Sequence, residues 1–340
     1  GLARDYTPET PLLLTTRQCI EFHNIHAEKL PALQHALAKA GFTGQGACGD
    51  TLRNITLCPG MGLCPGSADF TDAAMATRKA LESFKDICRL PRKFKISFSG
   101  CERFCAQPFI NDLGFVALVR DDRATIKLIG AGSLGARPET GIELADNVAP
   151  EHIPALALAA LRIFNTHGNR NNRRKARLRH VRQELGNEAF ISLLQSEYAA
   201  CLPQVAPGPP VPLCRSEKMP AAQINVPCGL LNPDQAEAIA DILMQTGSCA
   251  RILNHHRIEF FSADRAAVCT ALHDNPALKN MHGGPDIVSC PGTTYCSQAI
   301  VNTHTVEKSL RTKLPASFAT PIRISGCPNG CSHATIAPIG

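Results

Sequence analysis

Apolar and polar residues follow two periods along this chain, one typical of strands and one typical of helices. Strand-like runs lie at 12–15, 94–98, 114–119 and 125–129. Apolar residues with helical spacing lie at 30–40, 71–88 and 150–164, and a further helix is predicted from Asn232-Pro233 through Met244 because proline favours a first helical turn. Interleaved strands and helices predict an α/β fold of the α+β type, with mixed sheets covered by helices.

The chain also contains two copies of one module. Each copy has a CxxxxxC pair followed by Ser-Gly and a CxxxC pair. The first cysteine set is Cys58, Cys64, Cys101 and Cys105, and the second is Cys290, Cys296, Cys327 and Cys331. The order Ile-Glu-Phe likewise occurs at 20–22 and 258–260. A proline-rich stretch at 203–222 separates the copies and predicts a linker, because proline disfavours helix interiors and inner strands.

The two copies differ at their ends. The second copy has more residues ahead of its Ile-Glu-Phe than the first has. The first copy continues past its CxxxC into the apolar run Phe115–Arg120, for which the second has no counterpart. We therefore expect the chain to be a fragment, truncated at both ends.

Composition narrows the classes of function. The chain has 16 cysteines in 340 residues, whereas disulfide frameworks belong to short secreted chains, so reduced thiols, metal ligation and a cytoplasmic location are predicted. No apolar run is long enough for a membrane span. The net charge of +6 is concentrated in one arginine-rich segment at 162–182, which predicts an anionic ligand there.

Eight cysteines in two matched sets indicate metal ligation. Four thiolates from two loops are what an iron–sulfur cluster requires, and the glycines and prolines in these loops suit a bulky inorganic core. Structural zinc is an alternative, but zinc sites favour tighter CxxC turns. Buried structural cysteine is the other alternative, and we apply it to the eight cysteines outside the two sets.

Four cations of the first copy are absent from the second. They are Arg17, Arg53, Lys93 and Lys95, and the aligned residues of the second copy are His255, Pro285, Ala319 and Pro321. In a strand, Lys93 and Lys95 would share one face while Phe94 entered the core. A solvated strand face would explain the two lysines alone, but the difference between the copies favours an anion site in the first.

Several motifs resemble those of siroheme- and [4Fe-4S]-dependent nitrite/sulfite reductases, and the resemblance covers essentially the whole chain. The motifs are Thr15-Thr-Arg-Gln with Ile20-Glu-Phe-His, Asp50-Thr-Leu-Arg-Asn-Ile, Ser99-Gly-Cys-x3-Cys-x6-Asp-Leu-Gly-Phe, and the basic stretch His167–Arg177. The resemblance implies two pseudo-symmetric repeats, each a ferredoxin-like half domain followed by a mixed-sheet domain for siroheme and the cluster. The implied domains are 1–43, 44–202, 223–275 and 276–340, with the linker at 203–222.

The resemblance also implies roles for residues. Siroheme would lie between the halves, with the second cysteine set holding the cluster and Cys331 also contacting the haem iron. The substrate anion would bind the other face, held by Arg17, Arg53, Lys93 and Lys95. The implied siroheme-binding residues are Asn54, Asn169, Arg170, Arg173, Lys175 and Arg177. Nucleic-acid binding by this basic stretch is disfavoured because no aromatic residues interleave with it to stack on bases.

The implied activity is six-electron reduction of sulfite to sulfide or of nitrite to ammonia, with ferredoxin or a reductase subunit as electron donor and no nucleic-acid or membrane partner. Lys93-Phe-Lys95 resembles sulfite-reducing members. The alternatives are a siroheme-family oxygenase of cobalamin synthesis and an iron–sulfur electron carrier without catalysis. There are two departures from the family pattern. The first copy also has cluster cysteines, so a second cluster is a hypothesis, and Pro338 stands where the first copy has Asp112.

Overall fold

The computed structural model describes residues 1–44, 46–215 and 219–340. Residue 45 of the first predicted cluster domain and residues 216–218 of the predicted linker lie outside this part of the chain. The chain forms two compact units. We call Gln45–Ser133 with Arg137–Lys218 the central unit, and Gly1–Gly44 with Leu134–Ala136 and Met219–Gly340 the terminal unit.

The helices and strands alternate along the chain. The α-helices are α1 (Leu2–Tyr6), α2 (Leu30–Lys39), α3 (Thr71–Glu82), α4 (Ile153–His167), α5 (Leu178–Leu185), α6 (Asn187–Cys201), α7 (Pro233–Thr246), α8 (Arg265–Asp274), α9 (Gly292–Tyr295) and α10 (Thr303–Lys313). The strands are β1 (Leu12–Leu14), β2 (Ile20–Glu21), β3 (Thr56–Leu57), β4 (Ile96–Ser99), β5 (Leu113–Arg120), β6 (Arg123–Gly130), β7 (Ile142–Val148), β8 (Ala222–Asn225), β9 (Leu230–Leu231), β10 (Cys249–Ile252), β11 (Arg257–Phe261), β12 (Ile287–Ser289) and β13 (Ile322–Ile324).

The central unit is built on a five-stranded mixed sheet in the order β3-β4-β5-β6-β7. Strand β4 pairs in parallel with both β3 and β5, and the remaining pairs are antiparallel. Helix α4 is almost entirely apolar and packs with α3 and α6. Phe98 and Phe115 stack at 4.9 Å, and Phe94 lies 5.5 Å from Phe164. Burial of these rings is the main stabilising contribution to this core.

The terminal unit contains three smaller sheets, in the orders β2-β1-β9, β10-β11-β8 and β12-β13. Only the β12–β13 pair is parallel. Helix α7 begins after Asn232, as its Asn-Pro start predicted, and a capping box joins Asn232 and Gln235. It is followed by Gly247, which has a positive φ of 58°. The core includes Ile224, Phe260 and Leu272.

The sequence predicted most of these elements. The predicted strands match β1, β4, β5 and β6, and three of the four predicted helices match α2, α4 and α7. The helix predicted at 71–88 is shorter, because α3 ends at Glu82, where the Ser83 hydroxyl donates to the carbonyl of Ala80 at 2.7 Å. In the described part of the chain, no helix is both long and apolar enough to cross a membrane.

Candidate functional site

The first cysteine set lies at the carboxyl ends of two adjacent parallel strands. Cys58 follows β3 directly, and Cys101 follows β4 after Gly100. The backbone N–H of Cys58 donates to the carbonyl of Phe98 at 2.9 Å. The N–H of Gly100 points at the Cys58 Sγ, 3.4 Å away. Because parallel strands end at the same sheet edge, both cysteine pairs reach one place.

The second cysteine set occupies the same position on β12 and β13. The N–H of Cys290 donates to the carbonyl of Ile324 at 3.0 Å, and the N–H of Gly326 donates to the Cys290 Sγ at 3.1 Å. Each CxxxxxC loop is closed by a matching hydrogen bond. Cys296 N–H donates to the Gly292 carbonyl at 3.0 Å, just as Cys64 N–H donates to the Gly60 carbonyl at 3.2 Å.

The match extends through both CxxxC loops. In the first loop the N–H of Phe104 donates to the carbonyl of Cys101 at 3.4 Å. In the second loop the N–H of Gly330 donates to the carbonyl of Cys327 at 3.3 Å. Both of these residues have positive φ, 55° and 64°. A second left-handed residue follows in each copy, Gln107 and His333. The two copies therefore share one backbone arrangement, which we call the cysteine frame, and the predicted repeat is confirmed.

Burial and the nearness of other thiols raise the pKa of two cysteines in the first frame. Burial raises the pKa of the Cys58 thiol to about 12, and the neighbouring Cys105, Cys101 and Cys64 add to the rise. Burial also raises the pKa of Cys105, with Cys101 as the next cause. Such thiols need a positive partner to ionise, and a metal cluster supplies one.

The structure does not group these side chains around a single metal ion. Within 1–44, 46–215 and 219–340, no three His, Cys, Asp or Glu side chains are placed to hold one. A cubane differs from a zinc site because each of its four irons takes one thiolate. The iron–sulfur interpretation therefore rests on the cysteine pattern and on the matching loops.

A buried carboxylate that the sequence pattern did not reveal supports the second frame. Glu307 on α10 is fully buried and accepts from the Ser289 hydroxyl at 2.6 Å and from the Cys228 N–H at 2.8 Å. Arg311 completes its partners with a 2.8 Å ion pair. Since Ser289 immediately precedes Cys290, this network fixes the strand end that carries the second set. An apolar period cannot predict such a residue, because α10 is mostly polar.

The turn that carries Arg17 lies beside the second frame, within the terminal unit. Arg17 lies between β1 and β2, and the hydroxyl of its neighbour Thr16 donates to the carbonyl of Cys331 at 2.8 Å. On the same side, His23 stacks on Tyr295 at 4.3 Å, and Tyr295 adjoins Cys296. The structure thus brings a predicted anion-binding residue next to the second cysteine set.

Arg53, Lys93 and Lys95 lie together in the central unit. The N–H of Arg53 donates to the carbonyl of Phe94 at 2.9 Å, so Arg53 lies beside the residue that separates the two lysines. Phe94 is fully buried, as predicted, and all three cations are half-buried. The Arg53 guanidinium also donates to the carbonyls of Ala47 and, at 2.9 Å, Gly49, which fixes the preceding loop.

These three cations and the first cysteine set occupy opposite ends of the same strands. Arg53 and Lys95 precede β3 and β4, whereas Cys58 and Cys101 follow them. At the rise of an extended strand, this separation is about 15 Å. The first frame therefore lies too far from these cations to share one small anion with them.

The basic segment is built into the central unit through acidic partners. Arg177 donates twice to Asp112, at 3.2 and 2.7 Å, and Asp112 is fully buried and also accepts the Lys95 N–H at 2.8 Å. Arg173 and Arg92 bind Asp50, at 3.2 and 3.0 Å. Burial raises the pKa of Asp50, but the hydrogen bonds from Arg173 and Arg92 outweigh it and leave the pKa lowered.

The remaining predicted siroheme-binding residues are more exposed or serve the backbone. Arg170 donates to the carbonyl of Arg89 and to the Asn165 Oδ1, both at 2.7 Å. The Asn169 side chain accepts from the N–H of Asn171 and Asn172. Lys175 is exposed, and Asn54 is half-buried ahead of β3. All of these residues belong to the central unit.

Comparisons with known proteins bear directly on these sites. Residues 48–201 match the family model "Nitrite and sulphite reductase 4Fe-4S domain". That range holds the first cysteine set, three of the four cations and the basic segment. This part of the chain is similar to the 4Fe-4S domain of nitrite and sulfite reductases. The 4Fe-4S domain named by this family model agrees with the iron–sulfur cluster predicted from the cysteine motifs.

Both nitrite reductases and sulfite reductases are among the proteins similar to this chain. The chain is 28% identical to the assimilatory ferredoxin-dependent nitrite reductase of Haloferax mediterranei, over 96% of the chain and 62% of that protein. It is 24% identical to the sulfite reductase [ferredoxin] of Mycobacterium tuberculosis, over 96% of the chain and 63% of that protein. The chain therefore spans less than two thirds of these relatives.

A solved structure confirms the predicted fold class. The structure of the Mycobacterium tuberculosis NirA protein matches with a TM-score of 0.82 at 21% identity, and the match covers 99% of this chain and 66% of that one. At this identity the likeness shows the fold alone. The residues present also fit the family's cofactors, because each cysteine frame offers four thiols and a backbone N–H directed at one sulfur.

Proposed function

We propose that this chain is the cofactor-binding part of an oxidoreductase that reduces sulfite to sulfide or nitrite to ammonia with six electrons. The observation that carries this proposal is the hydrogen bond from Thr16 to the carbonyl of Cys331. It puts the turn of Arg17, an anion-binding residue in the implied site, against the second cysteine frame. Its relatives are named as reductases of the same two anions.

In this proposal Cys290, Cys296, Cys327 and Cys331 would hold the [4Fe-4S] cluster, and Cys331 would be the cysteine shared with siroheme. When bound, siroheme and the cluster would supply one-electron redox chemistry. Asn54, Asn169 and the cations Arg170, Arg173, Lys175 and Arg177 hold siroheme and its carboxylates. Arg173 and Arg177 are oriented for this task by Asp50 and Asp112, because a paired guanidinium keeps further N–H donors for a second carboxylate.

Arg17, Arg53, Lys93 and Lys95 bind the substrate. Sulfite and nitrite lose water when they enter a protein site, and cations in a low-dielectric pocket offset that cost. The guanidinium groups fit planar or pyramidal oxyanions through parallel hydrogen bonds. Each substrate oxygen leaves as water and takes two protons, and the lysine ammonium groups can deliver them while S–O or N–O bonds break.

Sulfite is the substrate that the Lys93-Phe-Lys95 motif favours. The electron donor in this proposal is ferredoxin, which the names of the relatives contain, or a reductase subunit. We propose a cytoplasmic location on the basis of the 16 cysteines, which suit a reducing compartment. No nucleic-acid or membrane partner is part of the proposal.

The test is steady-state reduction of sulfite and nitrite by full-length holoprotein with reduced viologen. Lys93→Gln should lower kcat/KM for the preferred anion about 100-fold, because a charge that binds the anion and can donate a proton to it is removed. The siroheme absorption band should be unchanged. Arg78→Gln is the matched control, since Arg78 lies on α3 and binds only the neighbouring Glu82 in the contacts that the structure gives.

Two results would contradict the proposal. Purified protein without a siroheme band, or a Lys93→Gln variant with unchanged kcat/KM, would favour the electron-carrier alternative. A kcat/KM for nitrite well above that for sulfite would keep the enzyme class and reverse the substrate preference.

A further inference from the structure

We infer that the first cysteine set holds a [4Fe-4S] cluster of its own, and that the Arg103 guanidinium makes this cluster the more easily reduced of the two. The inference goes beyond the proposed function, which needs the second set alone. It also does not depend on the reductase activity, because its tests measure iron, sulfide and reduction potential.

The first argument is the backbone geometry. A cysteine frame consists of two loops held by hydrogen bonds at fixed positions, and the first frame repeats most of those in the second. The bond across the strand ends measures 2.9 Å at Cys58 and 3.0 Å at Cys290. The bond that joins the two cysteine loops, from Ala68 to Gly100 or from Ile300 to Gly326, measures 2.8 Å in both. A frame that can present four sulfurs in one copy can present them in the other.

The second argument is the cost of leaving the first set without a metal. Cys58 is 7% exposed, and the N–H of Gly100 is directed at its Sγ from 3.4 Å. Two residues of the frame, Phe104 and Gln107, also adopt left-handed backbone conformations that non-glycine residues rarely take. Strain of this kind persists where a site requires it. A cluster would use both features, whereas an empty loop would gain nothing from them.

The third argument concerns Arg103, which the second frame lacks. Its Nε donates to the Cys101 Sγ at 3.4 Å. The aligned residue of the second set is Asn329, which carries no charge. The first frame therefore brings a positive charge and an additional N–H donor to one of its four sulfurs.

These contacts raise the reduction potential that we expect for the first cluster. A reduced cluster carries one more negative charge than an oxidised one, so a cation and N–H donors at its sulfurs stabilise the reduced form. At the second frame, the fully buried Glu307 beside Ser289 is paired with Arg311 at 2.8 Å, so these two charges offset each other. The first cluster would gain one electron from a low-potential one-electron carrier, with no bond made or broken.

The first experiment counts iron and acid-labile sulfide in anaerobically purified full-length protein. Two clusters predict about eight non-haem irons per chain, and the double variant Cys64→Ser/Cys101→Ser should keep about four together with its siroheme absorption. Cys88→Ser/Cys249→Ser is the control with two cysteines outside both sets, and it should keep about eight. A wild-type protein with about four irons, or a double variant that loses none, would overturn the inference.

The second experiment tests Arg103 by redox titration followed by EPR. Wild-type protein should show two one-electron cluster transitions besides that of the siroheme iron, and Arg103→Gln should move the higher cluster transition to a lower potential while the other stays in place. Arg103→Lys should move it less, because the charge is kept, and Arg78→Gln should move neither. If Arg103→Gln left both transitions in place, or moved the lower one, the assignment of Arg103 would be wrong. Because viologen turnover does not enter either experiment, the proposed reductase activity can fail or hold independently.

Discussion

The two cysteine frames share their backbone but not their surroundings. The first rests on the five-stranded sheet of the central unit and has Arg103 at the Cys101 sulfur. The second rests on a two-stranded parallel pair and is supported by the buried Glu307 and by the turn next to Arg17. The spacing of cysteines, glycines and prolines therefore specifies the frame, whereas residues distant in sequence specify what each frame can do.

The two copies differ in the same way at the opposite ends of their strands. The first copy places Arg53, Lys93 and Lys95 there. In the second copy Pro285 replaces Arg53, and its neighbour Asp286 forms ion pairs with Arg323 at 3.0 Å and Arg257 at 3.3 Å. Burial raises the pKa of Asp286, but the hydrogen bond with Arg323 and the charge of Arg257 outweigh it and lower the pKa. Both of these arginines of the second copy are thus held by one carboxylate, which suits structure rather than anion binding.

The largest expected effect separates the two frames by function. Cys331→Ser should abolish sulfite or nitrite reduction, with a loss of more than about 1,000-fold in kcat, because the proposed link between cluster and siroheme is removed. The aligned change in the first frame, Cys105→Ser, should lower kcat far less, since that frame lies about 15 Å from the cations of its own unit. Viologen-driven turnover and the siroheme spectrum measure both. Equal losses in the two variants would mean that the frames do not differ in function.

The next effect concerns stability and distinguishes the two units. Asp112→Asn should leave Arg177 without its buried carboxylate and lower the free energy of unfolding of the central unit by about 3–5 kcal/mol. Glu307→Gln should cost the terminal unit a similar amount, because Arg311 loses its buried partner. Denaturant unfolding followed by hydrogen exchange can assign each loss to one unit.

A matched control is available in the central unit. Glu82→Gln removes the exposed pair with Arg78 and should cost no more than about 0.5 kcal/mol. If Asp112→Asn cost as little as Glu82→Gln, the buried pair would not be a main support of the sheet. If either buried-site variant destabilised both units equally, the two networks would not act locally.

Sequence reasoning reached the parts of the site that depend on local pattern. The cysteine spacing predicted both frames, and the strand period predicted that Phe94 is buried between two more accessible lysines. Sequence reasoning did not predict contacts between residues that are far apart in the chain. Arg177 and Asp112 are separated by 65 positions, and Thr16 and Cys331 by 315, so no local period connects them. Such pairs depend on how strands and turns meet in three dimensions, which propensities do not encode.

The contacts of single charged residues were not predicted from the sequence either. The basic segment was predicted from its charge alone, yet Arg177 and Arg173 are held by acids from other loops. Arg103 lies inside the CxxxC motif, and the comparison with Asn329 was the signal that could have found it. The difference between aligned copies is therefore more informative here than the charge of either copy.

The smallest effect tests the buried histidines of the second copy, which the first lacks. His256 is 3% exposed and its Nδ1 has no hydrogen-bond partner. Burial, together with the neighbouring His304 and Arg323, lowers the pKa of His256 to about 3. An unfolded histidine has a pKa near 6.5, so between these values the unfolded chain binds more protons and stability falls as pH falls.

From pH 6.5 to 5 the terminal unit should therefore lose about 2 kcal/mol of its free energy of unfolding through His256. His256→Gln cannot titrate and should flatten this dependence, even if it changes stability at neutral pH. His26→Gln is the control, because His26 is exposed and should leave the slope unchanged. Urea unfolding at several pH values gives the slopes. A slope that His256→Gln leaves intact would assign the acid sensitivity to another group of the second copy, with His255, whose pKa burial lowers to about 4, as the first to test.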